Sequence, residues 1–172
     1  FDAATEHRAT RMVSFTGSTE VGRILLKRCA DRVLKTGMEL GGNAPFIVFN
    51  DADMDSAVEG AMTAKMRHSA EVCTAANRMF VEAGVADEFT ERLAAAMGAM
   101  KVGPGNEEGV TCGPMINAGA IESIDGLVQG ALAAGATAAV GGARIDGPGF
   151  FYSPTVLGDV TMESPIAKEE IF

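Results

Sequence analysis

The first forty residues predict two short strands around one helix. Residues 11–15 and 33–39 favour extended structure, and the second run ends at a Gly-Gly turn. A helix is predicted over residues 20–30, where Ser18 or Thr19 can cap its amino end. Its apolar side chains recur at the spacing of one helical face: Val21, Ile24, Leu25 and Cys29. This order predicts a βαβ-like unit with parallel strands.

The remaining residues predict further alternation of strands and helices. The apolar run 44–49 is typical of a strand buried on both faces, and residues 77–82 predict another strand. Short extended segments are expected within 136–142 and 150–156, and the Gly/Pro-rich residues 101–116 are expected to be irregular. Helices are predicted from the acidic cap at 51–55 to about residue 67, over 86–100 and over 118–134.

Composition supports an α/β fold in one domain, or in one domain and part of a second. The chain has 172 residues, of which 47% are hydrophobic and 6% aromatic, with 21 glycines. This hydrophobic content argues against disorder. The Gly41-Gly42 turn suggests a boundary between residues 1–40 and 41–172. Because the chain begins with Phe1 and ends on the apolar Phe172, we expect an internal fragment of a longer protein.

Charge and cysteine usage exclude several classes of partner. A net charge of −9 disfavours nucleic acid, and no apolar run approaches the roughly 20 residues that span a membrane. Nothing at the amino end resembles a signal peptide. Three widely spaced cysteines do not form a disulfide framework, which suits the reducing cytoplasm. Without a CxxC pair, and with His7 and His68 far apart, the sequence predicts no metal site.

Two residues stand out as candidates for chemistry. Cys73 follows a polar stretch at a helix end, where a thiol can be reached and partly ionised. The alternative is a buried cysteine that acts as a small hydrophobic residue. Glu39 lies at a strand end beside the Gly-Gly turn, where a carboxylate can point into a cleft. Its alternative is a solvated surface charge.

Taken together, the segments around these residues resemble the aldehyde dehydrogenase family. Residues 39–45 (Glu-Leu-Gly-Gly-Asn-Ala-Pro) resemble the family's glutamate signature, and residues 65–78 resemble its cysteine signature. Cys73 follows Glu39 by 73 − 39 = 34 positions, which is the family's spacing. Three further segments resemble the cofactor turn, a structural stretch and a late cofactor-contact motif, in the family's order: residues 15–22, 112–116 and 169–172.

The resemblance implies a fold and an activity. Residues 1–40 would be the end of a Rossmann-like domain that binds NAD or NADP, and residues 41–172 a truncated α/β catalytic domain. Cys73 would attack an aldehyde to form a thiohemiacetal, and Glu39 would activate the water that hydrolyses the resulting thioester. The parent enzyme is expected to be a cytoplasmic homo-oligomer whose partner is a small-molecule aldehyde.

The resemblance also implies six cofactor contacts. Three residues after the first strand would line the pyrophosphate and adenine side: Gly17, Ser18 and Val21. Leu40 would contact the nicotinamide carboxamide through its backbone. Glu170 would bind the nicotinamide ribose, and Phe172 would pack near the nicotinamide. Without the other segments, the Gly-Ser turn would indicate only a helix cap.

The cysteine signature departs from the usual pattern in ways that bear on the substrate. Ala70-Glu71 replaces the usual Gly-Gln, and His68 replaces an Asn. Versions with Glu resemble bacterial succinate-semialdehyde dehydrogenases. In these relatives an arginine at the position of Arg67, six residues before Cys73, binds the far carboxylate of the substrate, as a guanidinium can do in a bidentate way. A structural or surface role for Arg67 is the alternative.

Three hypotheses therefore compete. The first is an NAD(P)-dependent dehydrogenase that oxidises succinate semialdehyde or another aldehyde. The second is a truncated, catalytically silent relative that retains only the fold. The third is a thiol hydrolase or acyltransferase that uses Cys73, although neither histidine has a spacing that suits its base. Reduction of nicotinamide distinguishes the first hypothesis from the others.

Overall fold

A computed structural model describes all residues, Phe1–Phe172, and divides the chain into two compact units. The first unit is Phe1–Gly42 and the second is Asn43–Phe172. The division falls at the Gly41-Gly42 turn. Both units contain helices and short strands, and no helix is long and apolar enough to cross a membrane.

The first unit is a parallel βαβ arrangement preceded by a short helix. Its elements are α1 (Asp2–Glu6), β1 (Met12–Gly17), α2 (Thr19–Ala30) and β2 (Lys35–Leu40). Strands β1 and β2 pair in parallel, as the sequence predicted. Ser18 caps α2, because its Oγ accepts a hydrogen bond from the backbone N–H of Val21. Gly22, Leu25 and Cys29 form the buried face of this helix.

The second unit contains a parallel strand pair, an antiparallel pair and four helices. Strands β3 (Ala44–Val48) and β4 (Ala76–Val81) pair in parallel, with α3 (Met54–Met66) between them in the sequence. Strands β5 (Thr137–Val140) and β6 (Val156–Gly158) pair antiparallel. The other helices are α4 (Ala86–Gly98), α5 (Ala118–Ala133) and α6 (Pro165–Lys168).

The main core of the second unit lies where α3 and α4 cover the β3–β4 pair. Phe89, Leu93 and Met97 of α4 are buried there, which confirms the predicted apolar face. The Phe46 and Phe89 rings stack with their centroids 6.5 Å apart. Asp53 caps α3, because its Oδ1 accepts from the backbone N–H of Ser56. These contacts hold α3, the helix that precedes the segment carrying Cys73, against α4 and β3.

The prediction that residues 44–49 are buried on both faces is wrong. In β3 only Val48 is buried, while Ile47 and the following Phe49 are exposed. One face of the strand packs on the helices, and no element covers the other face. The sequence also did not predict α1 or α6. Of the expected extended segment 150–156, only Tyr152 forms an isolated bridge before β6 begins at Val156.

Candidate active site

Cys73 lies in a tightly wound connection between α3 and β4. Helix α3 ends at Met66, and the 3-10 turn Arg67–Ala70 follows. Three consecutive residues other than glycine have left-handed backbone there: His68 (φ 51°), Ser69 (φ 58°) and Ala70 (φ 70°). Such a conformation costs about 1–2 kcal/mol for each residue with a Cβ atom. The turn therefore persists only because other contacts hold it.

Hydrogen bonds within the connection and from the 101–116 segment supply that support. Ser69 Oγ accepts from the backbone N–H of Gly113 at 2.8 Å. Within the connection, the N–H of Glu71 donates to the His68 carbonyl, and the N–H of Ala75 donates to the Val72 carbonyl. Ala75 is only 2% exposed, so the connection is anchored in the core two residues after Cys73. Cys73 itself is exposed.

The other cysteines differ from Cys73 in accessibility. Cys29 is buried in the first unit, and Cys112 is buried in the second. Burial raises the pKa of the Cys112 thiol, and the nearby Glu71 charge raises it further, whereas a hydrogen bond with Ser69 opposes the shift. Cys112 is therefore kept as an unreactive thiol, and Cys73 is the one cysteine that an external electrophile can reach.

Both residues that replace the usual Gly-Gln pair carry a structural cost. Ala70 occupies a left-handed position that glycine adopts without strain. Glu71 is half-buried, and its Oε1 is buried without a hydrogen-bond partner. Its charge faces the buried Cys112 thiol. These substitutions therefore change the local energetics of the turn while the backbone retains its hydrogen bonds.

Arg67 begins the 3-10 turn, directly after α3, and its side chain is exposed. None of the ion pairs in the structure involves its guanidinium. The arginine is close in sequence to Cys73 and is not engaged by a carboxylate of the chain. It can therefore bind a carboxylate from outside.

A polar network that the sequence analysis missed ties the carboxyl-terminal residues to the strand pair. Lys65 Nζ donates to Asn77 Oδ1 at 2.6 Å and to the Ile171 carbonyl at 3.3 Å. Arg78 donates twice to the Asn43 carbonyl, through Nε at 3.1 Å and Nη2 at 2.6 Å. Asn43 Nδ2 in turn donates to the Ala167 carbonyl at 3.1 Å. Segment 167–172, which includes Glu170 and Phe172, is thereby held beside the beginnings of β3 and β4.

The only sequence signal for this network was the presence of its donors inside the two signature segments. Lys65 and Arg78 lie in the segment that resembles the cysteine signature, and Asn43 lies in the one that resembles the glutamate signature. Their spacing does not reveal their partners, because the acceptors at Ala167 and Ile171 are about a hundred residues away in the chain.

The remaining candidates meet at one end of the first unit. Glu39 and Leu40 end β2, where they pair in register with Thr16 and Gly17 at the end of β1. Glu39 is exposed. The Leu40 side chain packs on α2, where a Cβ atom added to Gly22 would lie 2.6 Å from Leu40 Cδ2. The carboxyl ends of both strands thus lie beside the α2 amino terminus.

This end of the unit has the chemistry that a dinucleotide phosphate requires. Ser18 Oγ satisfies the Val21 N–H, while the N–H groups of Thr19 and Glu20 lack partners within the helix, as in any first turn. Such groups bind anions, and ligands of α/β sheets bind at the carboxyl ends of strands. Val21 is exposed in the same turn. The residues present therefore fit the phosphate side of a cofactor.

A metal site has no comparable support. The structure contains no group of three or more His, Cys, Asp or Glu residues that could hold a metal ion.

The chain belongs to the aldehyde dehydrogenase family, whose model matches residues 1–172. It is 57% identical over 162 residues to a succinate-semialdehyde dehydrogenase of Paenarthrobacter nicotinovorans, covering 94% of this chain and 36% of that protein. It is 48% identical over 168 residues to a glutarate-semialdehyde dehydrogenase of Pseudomonas putida, covering 98% of this chain and 35% of the relative.

Solved structures agree with this assignment. The crystal structure of succinate-semialdehyde dehydrogenase from Burkholderia pseudomallei superposes with a TM-score of 0.95 at 46% identity, covering 99% of this chain and 35% of that one. The fold is therefore that of the aldehyde dehydrogenases, as the resemblance implied. The chain spans about a third of the length of these relatives.

Proposed function

We propose that the full-length protein containing this chain oxidises an aldehyde to a carboxylate with NAD or NADP, using Cys73 as the nucleophile. The observation that carries the proposal is the exposed Cys73 thiol on a turn held by Ser69 and Gly113, while both other cysteines are buried. A nucleophile must be reachable and held in position, and only this cysteine meets both conditions.

In the proposed reaction, the Cys73 sulfur forms a bond to the aldehyde carbon and gives a thiohemiacetal. The cofactor, which Gly17, Ser18, Val21, Leu40, Glu170 and Phe172 would hold, would supply the hydride acceptor, and loss of hydride from that carbon would leave a thioester on Cys73. Glu39 takes a proton from water as the water attacks the thioester, and the carboxylate leaves as the thiol is restored. The balance is one aldehyde, one oxidised nicotinamide and one water, giving one carboxylate, one reduced nicotinamide and two protons.

For the cofactor, we propose that Gly17, Ser18 and Val21 hold its phosphate and adenine side. Leu40 would meet the carboxamide through its backbone, and Glu170 and Phe172 would contact the nicotinamide riboside. The amino end of α2 supports the first part, since its free N–H groups favour anions. Among the relatives, the Escherichia coli succinate-semialdehyde dehydrogenase is named for NADP, and one solved neighbour, a 3,6-anhydro-L-galactose dehydrogenase, is a complex with NAP.

For the substrate, we propose a semialdehyde with a second carboxylate, with succinate semialdehyde as the first choice. Arg67 supports this, because its guanidinium is exposed and free of ion pairs next to the turn that carries Cys73. Two of the relatives, a succinate-semialdehyde dehydrogenase and a glutarate-semialdehyde dehydrogenase, are named for substrates of this class. Glutarate semialdehyde, one methylene longer, is the second choice.

The assay follows reduced nicotinamide by absorbance, with succinate semialdehyde and with butanal, which has the same chain length but no carboxylate. Wild type is compared with Cys73→Ala, which should form no reduced nicotinamide. Glu39→Gln should retain one rapid turnover per site but lose steady-state rate by about 10²–10⁴-fold, because deacylation lacks its base. Folded wild-type protein that reduces neither cofactor with any aldehyde would indicate the catalytically silent relative.

The same variants separate dehydrogenase from thiol hydrolase. A hydrolase would cleave an activated ester through Cys73 with no cofactor present and would produce no reduced nicotinamide.

We further propose a homo-oligomer located in the cytoplasm. The three free cysteines are compatible with a reducing compartment.

A further inference from the structure

Lys65 has an environment that is unusual for a lysine. It lies in the last turn of α3, and its side chain is half-buried. Both hydrogen-bond acceptors of Lys65 are neutral, the Asn77 amide oxygen and the Ile171 carbonyl, so no carboxylate compensates the partial desolvation of its charge. Burial lowers the pKa of this amine from its ordinary 10.5 to about 8.

The two acceptors join parts of the chain that have different predicted roles. Asn77 is the second residue of β4 and lies four positions after Cys73, so it marks the end of the nucleophile turn. Ile171 lies between Glu170 and Phe172, the residues expected to contact the nicotinamide riboside. Lys65 is therefore a direct link between the base of the Cys73 turn and the cofactor-contact segment.

Neither α3 nor the core requires a lysine for packing. A methionine has a similar length and would fill the same space without desolvating a charge. What a methionine cannot do is donate two hydrogen bonds at once, whereas an ammonium group has three donors on one flexible stem. The cost of burying the charge is thus offset by a linkage that an apolar side chain cannot make.

We propose that Lys65 is a positioning residue that fixes residues 169–172 relative to the Cys73 turn, so that the nicotinamide is held beside the substrate carbon. The inference rests on the proposed dehydrogenase function and on the assignment of Glu170 to the cofactor. Lys65 itself does not touch the reacting atoms. Its loss should therefore affect cofactor use and leave the reactivity of the thiol intact.

The experiment compares Lys65→Met with wild type in the full-length enzyme. Saturation curves are measured separately for cofactor and for succinate semialdehyde, together with the rate at which iodoacetamide alkylates Cys73 in the absence of cofactor. We expect KM for the cofactor to rise about tenfold, the equivalent of one charge-assisted hydrogen bond. The KM for aldehyde and the alkylation rate should stay within about twofold, a change too small to represent a lost hydrogen bond.

Lys101→Met is the matched control. Lys101 lies in the same unit and its Nζ also donates to a backbone carbonyl, that of Glu108 at 2.8 Å, but the contact is exposed. This variant should leave every kinetic constant unchanged. If Lys65→Met does not fold, Lys65→Gln is measured instead. The glutamine side chain is shorter, so its amide can reach one acceptor but not both, and this variant should also raise the KM for the cofactor.

The outcomes separate the two levels of the proposal. A wild-type enzyme that reduces no nicotinamide overturns the proposed function. In an active enzyme, a folded Lys65→Met or Lys65→Gln variant with an unchanged cofactor KM overturns the positioning role alone. If the KM for aldehyde rises as much as the KM for the cofactor, and the alkylation rate of Cys73 changes as well, the positioning role is also overturned. A general loss of structure would then be the cause.

Discussion

Replacing Ala70 by glycine tests whether the turn before Cys73 is strained. Ala70 has φ 70° and is the third consecutive left-handed residue in that turn. Glycine adopts this conformation without a Cβ clash, so Ala70→Gly should relieve strain. An alanine-to-glycine change normally destabilises a protein, and a stabilising effect here would be a specific consequence of the backbone geometry.

The expected magnitude follows from three opposing effects. A left-handed residue with a Cβ atom costs about 1–2 kcal/mol, which the variant recovers. Glycine adds conformational freedom to the unfolded chain, which removes about 0.4–1 kcal/mol of that gain. Ala70 is half-buried against the core, and losing its methyl group costs about half of the ~0.8 kcal/mol for a fully buried one. The net gain is about 0.5 kcal/mol.

Equilibrium unfolding in urea, compared with Ala95→Gly, provides the assay. Ala95 is an exposed residue within α4, where the same change should cost about 1 kcal/mol through helix propensity alone. The two variants should therefore differ in free energy of unfolding by about 1.5 kcal/mol, with opposite signs. If Ala70→Gly lowers the free energy of unfolding as much as Ala95→Gly does, the turn before Cys73 is not strained.

Three further predictions concern side chains of the second unit. In native protein, iodoacetamide should label Cys73 and spare Cys112, and equal labelling of the two would contradict the assigned accessibility. Arg67→Met should raise KM for succinate semialdehyde by about 10–100-fold and leave KM for butanal unchanged, while an equal rise for both would exclude carboxylate binding. Because the folded pKa of Lys65 lies below its unfolded value, the unfolded chain binds more protons between pH 8 and 10.5. Stability should rise across that window by about 3 kcal/mol more in wild type than in Lys65→Met, and parallel pH profiles of unfolding would contradict the desolvation of this amine.

The sequence predicted most elements of regular structure, since their determinants are local. The apolar face of α2 and the Ser18 cap arise from residues within one or two turns of each other. The apolar face of α4 is likewise a matter of spacing, and the parallel pairing of β1 and β2 follows from the helix that connects them. Motifs and their order were also sufficient to identify the family, which the match over residues 1–172 confirms.

Other features were decided by contacts between residues far apart in the chain. An apolar run such as 44–49 shows that a strand has two apolar faces, but only the tertiary structure shows that helices cover one of them. The left-handed turn at His68–Ala70 depends on Gly113, 44 residues after Ser69, and no propensity of these residues predicts it.

Lys65 shows most clearly that contacts between distant residues cannot be predicted from the sequence. From its position in the cysteine signature it could equally be a solvated charge on the last turn of a helix. What links it to a distant segment is the acceptor at Ile171, 106 residues away. The local periods, the caps and the order of the chemical groups were predictable, because each depends on residues that are neighbours in the chain. The covered faces, the accessible thiol and the distant carbonyl that the Lys65 amine contacts were not predictable, because burial and hydrogen bonding depend on the segment that folds against each of them.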